Sequence, residues 1–309
     1  MNQLDRHFSA YKGELTNLYG FKPGFLFLDL TLGDGGHTQE ALEAGCRVVS
    51  FEVDPDAIKR AVGFVPEKYH PIIIESEDPE GIILKDFTWI IIRANFIQVG
   101  EIVKKLKLPL FDGLMVDLGP SQFQVLSVGR GFSFAINEPL DMRLDKNLGV
   151  TAADLLAVLN EGELVELFSV ADEPYAKPIA RIIAKQRQIT PITTTKQLAD
   201  LIAHVKKGRG HLHPATQVFM ALRMAVNLER ENIRLLLPQL APLLKKDGLM
   251  GLISFHSGED KLIKDFFHDA EDKNILSAIN KKPIVPTTQE LQISPRTRSA
   301  KLRIAKKIN

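Results

Sequence analysis

The chain has 309 residues, a formal net charge of +1, 45% hydrophobic and 25% charged residues, and one cysteine, Cys46. That length holds one large domain or two smaller ones with a buried core, and the near-neutral balance leaves only local charge to argue for a nucleic-acid partner. The lone cysteine excludes an intramolecular disulfide and a Cys-rich metal site, while Asp5, Arg6, Lys12 and Glu14 interrupt the first twenty residues and no apolar run approaches the roughly 18 residues of a membrane span, so a cytoplasmic protein with no membrane association is expected.

Along the chain, Phe25 to Leu30 reads as a buried strand, Gly33 to Gly36 as a glycine-rich turn and Thr38 to Ala44 as a helix. Arg47 to Glu52 is a second strand and Pro55 to Val62 a second helix. Continuous apolar strands alternating with helices predict a parallel sheet with crossovers. Ile72–Ile74 and Ile90–Ile92 are strand-like, with a turn at Ser76 to Gly81 and an added hairpin strand at Ile82 to Leu84. Glu101 to Leu106 is helical, and Phe111 to Asp117 is a strand that ends in an acid. From Thr151, a plausible N-cap, the pattern turns helical: Ala152 to Leu159, Glu163 to Phe168, Tyr175 to Arg187 and Thr195 to Val205. Helices at Pro214 to Glu229 and Asn232 to Leu244 follow, then a turn at Lys246–Gly248, a strand at Leu249 to Phe255, a linker over Asn274 to Ser294 and a last strand at Ser299 to Ala305. The expected division is a core over 1–135, an inserted helical substrate-recognition domain over 136–212, and the second part of the core with a basic C-terminal tail over 213–309.

The run Asp29-Leu-Thr-Leu-Gly33-Asp-Gly35-Gly36-His37 stands at a strand-to-helix turn, where an open α/β sheet binds ligands and glycines let a ligand approach the backbone. Glu52 ends the next strand, and a carboxylate there can accept hydrogen bonds from both ribose hydroxyls of an adenosine. The dinucleotide pattern G-x-G-x-x-G fails, because Thr38 stands where the third glycine belongs. A tight turn with no ligand is the bland alternative. Phe96, after Asn95 at another strand end, can cover an adenine face or simply belong to the core.

Asp117 and the turn Leu118-Gly119-Pro120-Ser121 face the same crevice in a parallel sheet. Asp117 and Gln124 offer oxygen acceptors that suit either a substrate amine or a cofactor, although Asp117 is also a plausible helix N-cap. His256-Ser257 follows another strand end, in a functional or a structural role. Phe219, Arg223 and Asn227 share one helical face. His204, His211 and His213 lack paired acidic or thiolate ligands, so no metal is expected. Arg296, Arg298, Lys301, Arg303, Lys306 and Lys307 fall in the last fourteen residues without an acid, and Lys206-Lys207-Gly208-Arg209 is a second basic run; either can contact phosphate or be a solvated surface.

Taken together, the motifs resemble the bacterial 16S ribosomal RNA (cytosine-N4)-methyltransferases of the MraW type, from about His7 to the C-terminus. The specific strings are Arg130-Gly-Phe-Ser-Phe134 with Pro139-Leu-Asp-Met-Arg143, His213-Pro-Ala-Thr216, Ala221-Leu-Arg223 with Val226-Asn-x-Glu229, Ser254-Phe-His-Ser257 with Glu259-Asp260, and Pro295-Arg-x-Arg-Ser-Ala-Lys-Leu-Arg303. The resemblance implies an α/β fold, a Rossmann-like S-adenosylmethionine-dependent methyltransferase core with an inserted all-helical domain. It implies S-adenosylmethionine as cofactor and a cytosine of the small-subunit decoding region as target, in 16S rRNA or the small ribosomal subunit, with a homodimer left open. Cofactor contacts are expected at Gly33, Gly35, Gly36, His37, Glu52, Phe96, Asp117 and Gln124. Catalytic roles fall to Asp117, His256 and Asp141, and substrate contacts to Arg130, Arg143, Asn227 and Ser257. The family usually has Asp at Glu52, Val-Ser-Ser-Pro-Gln where Pro120-Ser-Gln-Phe-Gln124 stands, and Ser-Leu-Glu-Asp-Arg at Ser257–Lys261; the segment between Glu52 and Phe96 is longer than usual. Two other readings remain: a diverged paralogue that binds RNA in ribosome assembly without turnover, and an amino-methyltransferase acting on DNA. Leu118-Gly119 breaks the Asp/Asn-Pro-Pro-aromatic motif of the DNA enzymes, and RNA offers bases already unpaired.

Overall fold

The computed structural model describes residues 9–75, 84, 86–208 and 213–309. The chain forms two compact units, one running to Ser121 and resuming over Arg230–Asn309, the other Gln122–Glu229.

In the first unit, β1 (Leu26–Asp29), β2 (Arg47–Glu52), β3 (Ile72–Ile74), β4 (Trp89–Arg93), β5 (Phe111–Asp117), β6 (Leu244–Ser254), β7 (Leu276–Ala278) and β8 (Lys301–Lys307) make one sheet in the order β3-β4-β2-β1-β5-β6-β8-β7. The pairings from β3 to β6 are parallel, whereas β8 is antiparallel to β6 and β7 to β8. The chain order reverses between β1 and β5, the point at which such sheets open a ligand crevice at their carboxyl ends. Helices α1 (Leu15–Tyr19), α2 (Gly36–Glu43), α3 (Pro55–Phe64) and α4 (Val99–Lys105) belong to this unit. Among the described residues no helix is long and apolar enough to cross a membrane.

Period-two alternation decides which face each strand residue buries. Leu26, Leu28, Val49, Phe51, Ile90 and Ile92 pack into one cluster; Phe27, Val48, Trp89, Ile91 and Met115 pack into the other. Each fully buried side chain of this size contributes roughly 1.5–3 kcal/mol. Strand glycines have a local cause here. A Cβ on Gly113 would collide with the Tyr19 ring and one on Gly251 with its hydroxyl, which donates to the Leu114 carbonyl at 2.7 Å.

The second unit is built of α5 (Gln122–Leu126), α6 (Ala152–Val158), α7 (Glu161–Ser169), α8 (Ala176–Gln186), α9 (Thr195–Val205) and α10 (Thr216–Val226). Thr151 with Asp154, Asn160 with Glu163 and Thr194 with Gln197 form capping boxes that start α6, α7 and α9. Its core joins Leu156, Phe168, Ile179, Ile183, Leu198 and Ile202 to Val218 and Leu222 of α10. The compact helical unit is therefore wider than the expected 136–212 stretch, because α10 and Phe132 bury their apolar faces in it.

Several segments differ from expectation. The linker expected over 274–294 contains β7 and α13 (Thr288–Ile293). No helix was expected after His256, yet α12 (Ser257–Asp272) starts there. α11 (Glu229–Leu243) runs directly into β6, and the expected turn at 246–248 is a break of register within that strand, with Asp247 at φ +65°. The expected basic tail is β8, a strand inside the sheet. The expected turn at 76–81 and Ile82 and Ile83 of the hairpin strand lie outside the described residues, as do Arg209 and His211.

Candidate active site

Three strand tips of the first unit are joined by bonds from backbone N–H groups to side-chain oxygens. After β1 the chain turns through Thr31 to Gly35. The Thr31 hydroxyl accepts the Asp117 N–H at 2.7 Å, which ties the turn to β5. Glu52 Oε2 accepts the Gly33 N–H at 3.0 Å, which ties it to β2. Gly33 at φ +50° and Gly35 at φ +75° adopt the left-handed backbone that favours glycine, and a Cβ on Gly36 would strike the Ser9 side chain. The turn feeds α2, whose first intrahelical bond runs from Gln39 N–H to Gly35 C=O, so the N–H groups of Gly36 and His37 precede the ladder.

Below the turn lies a buried polar ladder. Asp29 accepts the Thr38 hydroxyl at 2.7 Å, Thr38 and Ser50 hydroxyls meet at 2.9 Å, and Trp89 Nε1 donates to Ser50 at 3.0 Å. Thr38, which breaks the dinucleotide pattern, is thus a brace between β1, β2 and β4. Asp34 is buried in a bidentate pair with Arg60, 2.9 Å at each arm, which anchors the turn to α3. The His37 ring is buried and bonds the Ala10 carbonyl at 2.8 Å. Its side chain therefore holds the N-terminal segment, and what it offers the crevice is its backbone.

The two acids at the tips are perturbed in the same direction. Burial pushes the Glu52 carboxyl up to about 7, with Asp54 adding to the rise, although the N–H groups of Gly33, Val53 and Asp54 all donate to it. Oε1 already accepts two of these groups, so the lone pair left for a further donor is on Oε2. Burial likewise pushes Asp117 up to about 7; His37 opposes that rise, and Asp29 and Glu259 add to it. Asp117 Oδ1 is buried with no hydrogen-bond partner, and an orphaned buried acceptor calls for an explanation such as a ligand group. Phe96 is half-buried in a 3-10 turn after β4. It follows Arg93, the β-partner of Glu52, by three residues.

His256 caps α12: its Nδ1 accepts the N–H groups of Gly258 and Glu259 at 3.2 and 3.4 Å, and Glu259 Oε2 accepts the Phe255 N–H at 2.8 Å. The acceptor role at Nδ1 puts the proton of a neutral ring on Nε2. That atom lies 3.2 Å from Glu259 Oε1 without hydrogen-bond alignment. Ser257 is exposed on the first turn. Thr31 and Glu259 were not among the expected site residues; the capping-box pattern His256-x-x-Glu259 directly after a strand was the available signal for Glu259.

The remaining expected residues lie in the second unit. Arg130, Asp141, Arg143 and Asn227 meet on one loop and satisfy one another. Arg143 grips Asp141 at 2.7 and 2.8 Å and donates to the Leu148 carbonyl at 2.6 Å. Burial alone would raise Asp141, but its bonds with Arg143 outweigh that and hold the carboxyl below the usual range. Arg130 donates to the carbonyls of Arg143 and Leu144 at 3.1 and 2.9 Å. Asn227 accepts the Leu144 N–H and donates to the Met142 carbonyl, both at 2.8 Å. Between them Met142 sits fully buried at φ +66°, a left-handed conformation rare outside glycine. Gln124 is buried in α5. His213 stacks on Phe134 with ring centroids 4.2 Å apart, and Lys206 of the second basic run pairs with Glu173 at 2.6 Å.

A doubly wound α/β unit with a glycine turn, a strand-end acid and an orphaned aspartate at adjacent tips is the architecture of a Rossmann-like nucleotide-cofactor enzyme carrying an α-helical insertion. The chain matches the MraW methylase family over residues 5–308 and belongs to that family. Its methyl donor is S-adenosylmethionine. Similar curated proteins include "Ribosomal RNA small subunit methyltransferase H" of Magnetococcus marinus, 37% identical with 92% of this chain and 93% of that protein covered. Proteins of the same name from Carboxydothermus hydrogenoformans and a Picosynechococcus species are 35% and 38% identical, covering 98% and 97% of this chain and 98% and 96% of theirs. A solved structure described as a putative rRNA-methylase from Clostridium thermocellum aligns at TM-score 0.45 and 10% identity over 98% of this chain and 99% of that one.

Proposed function

We propose that this enzyme transfers the methyl group of S-adenosylmethionine to the exocyclic N4 of a cytosine in the decoding region of 16S rRNA. The observation that carries the reading is the convergence of Gly33, Glu52 and Asp117 at three neighbouring tips, with Asp117 Oδ1 buried and unpartnered, in a member of a methylase family. The names of the relatives point to small-subunit ribosomal RNA as the polymer.

The chain's residues fit the donor. Glu52 Oε2 would accept from a ribose hydroxyl, Phe96 would cover the adenine, and the backbone turn from Gly33 to His37 would hold the amino-acid tail. When bound, the donor supplies a sulfonium methyl group that is open to in-line attack. Asp117 Oδ1 accepts an N4–H bond and turns the amine lone pair out of conjugation with the ring. As the amine takes the methyl group that the bound donor would supply, Asp117 Oδ1 would take the proton that N4 gives up. An acid near 7 is matched to that task at neutral pH. No covalent nucleophile is needed.

Nucleoside mass spectrometry of 16S rRNA from a deletion strain, with and without the restored gene, tests the reading. The expected result is loss and recovery of N4-methylcytidine; an unchanged level would sink it. Intact RNA binding with no turnover of purified protein would favour an assembly factor.

A further inference from the structure

The basic residues near the C-terminus divide into two groups. β8 runs antiparallel to β6, so Lys301 pairs with Ser254 at the end of β6, beside the Asp117 tip of β5. The 3-10 turn Pro295–Ser299 leads into β8 and therefore stands at the crevice end of the sheet. Four of the six cations are engaged. Arg303 grips Asp260 at 2.7 and 3.3 Å and Lys301 reaches the same carboxylate at 3.3 Å. Lys306 pairs with Asp247 at 2.7 Å and Lys307 donates to the Leu244 carbonyl at 2.8 Å.

Arg296 and Arg298 differ. Both are exposed, and among the described residues no carboxylate or carbonyl holds either guanidinium. They flank Thr297, which is buried and donates its hydroxyl to the Ser294 carbonyl at 2.8 Å, while Ala300 N–H closes onto Thr297 C=O at 2.7 Å. The turn is thus held from inside while both guanidinium groups remain in solvent. The only acid between residues 281 and 309 is Glu290, buried and accepting the Tyr11 N–H at 2.9 Å. Lys281 and Lys282 add two exposed cations next to Ile284, which bridges to Leu302 at the start of β8.

We propose that Arg296 and Arg298 are a phosphate clamp for the RNA strand that delivers the target base to the strand-tip crevice. Guanidinium groups match phosphate oxygens in a bidentate fork, and a rigid turn removes part of the ordering cost of binding. The inference rests on the proposed RNA substrate and assigns its backbone a place on the first unit.

The test uses the full chain and a labelled single-stranded RNA oligonucleotide, with binding read by anisotropy over a KCl series. The paired substitution Arg296→Gln with Arg298→Gln is expected to weaken binding and to make the log Kd against log[KCl] slope shallower by about 1.4, two single-strand phosphates' worth. Lys306→Gln with Lys307→Gln is expected to leave the slope unchanged. Arg296→Gln alone, expected to shift the slope by about 0.7, serves if the double variant does not fold. Calorimetric affinity for S-adenosylmethionine is expected to be unchanged throughout. An unaltered slope in the Arg variants, an equal change in the Lys pair, or wild-type binding without salt dependence overturns the clamp. Wild-type protein that transfers no methyl group to 16S rRNA overturns the proposed function instead, whatever the slopes.

Discussion

Asp117, at the sheet tips, and Asp141, in the helical unit, are both aspartates within family motifs, and their surroundings push them in opposite directions. Asp117 has lost water without gaining a partner for Oδ1, and its carboxyl rises to about 7. Asp141 is also partly buried, but the bonds from Arg143 outweigh the desolvation and hold it below the usual range. The first arrangement leaves an acceptor and a movable proton for a ligand; the second leaves neither, and ties the backbone of a loop. A motif aspartate can thus mark the chemistry or the scaffold, and what separates them is whether its hydrogen-bonding capacity is filled from within the chain.

The largest effect is expected at Asp117. Asp117→Asn keeps the shape and removes the base, and turnover in a labelled methyl-transfer assay is expected to fall by about 10²–10⁴-fold. Stability should move the other way. The folded carboxyl lies near 7 and the unfolded one near about 3.9. Across that window the folded chain keeps a proton that the unfolded chain releases, so burying Asp117 costs more as pH rises and costs most above 7. Asp117→Asn should therefore raise the melting temperature more at pH 8 than at pH 5; an equal shift at both would mean that Asp117 is not desolvated as described.

Asp141→Ala inverts this pattern. Its loss leaves the Arg143 guanidinium without its bidentate partner, and stability measured by urea unfolding should drop by about 1–3 kcal/mol. A double-mutant cycle with Arg143→Ala should show strong coupling. Full stability combined with lost turnover would move Asp141 into the chemistry.

Glu52 sharpens the first half of the comparison. Ribose hydroxyls favour its ionised form, so wild-type affinity for S-adenosylmethionine should rise from pH 6 to pH 8 as the carboxyl titrates near 7. Glu52→Gln should weaken binding about tenfold, about 1.4 kcal/mol, and flatten that rise, as read by calorimetry. The smallest effect belongs to Thr151→Ala, which removes the cap of α6 and should cost about 1 kcal/mol with turnover unchanged.

Strands β1, β2 and β5 were legible because continuous apolar runs closed by an acid leave few alternatives, and α9 because Thr194 and Gln197 announce its start. α12 was not, since its apolar positions are spaced among charges and its cap is a histidine rather than one of the usual cap residues. The site divided in the same way. The glycine turn with Gly35, Glu52 and Asp117 could be placed on adjacent tips from the parallel pattern, whereas the Asn227 bonds to Met142 and Leu144 span 85 and 83 residues and follow from no spacing.

Sequence alone determined the methylase family, the parallel core and the three tip residues, because these rest on local strings and on periodicities of two and 3.6 residues. Only the tertiary structure decided which charged groups were left over. Whether Asp117 keeps an open lone pair, or Arg298 stays in solvent while Arg303 is held, depends on side chains brought together from distant segments. Hydrogen bonds and ion pairs act over a few ångströms of space, and the chain's linear order does not encode those distances until the sheet and the helices have packed.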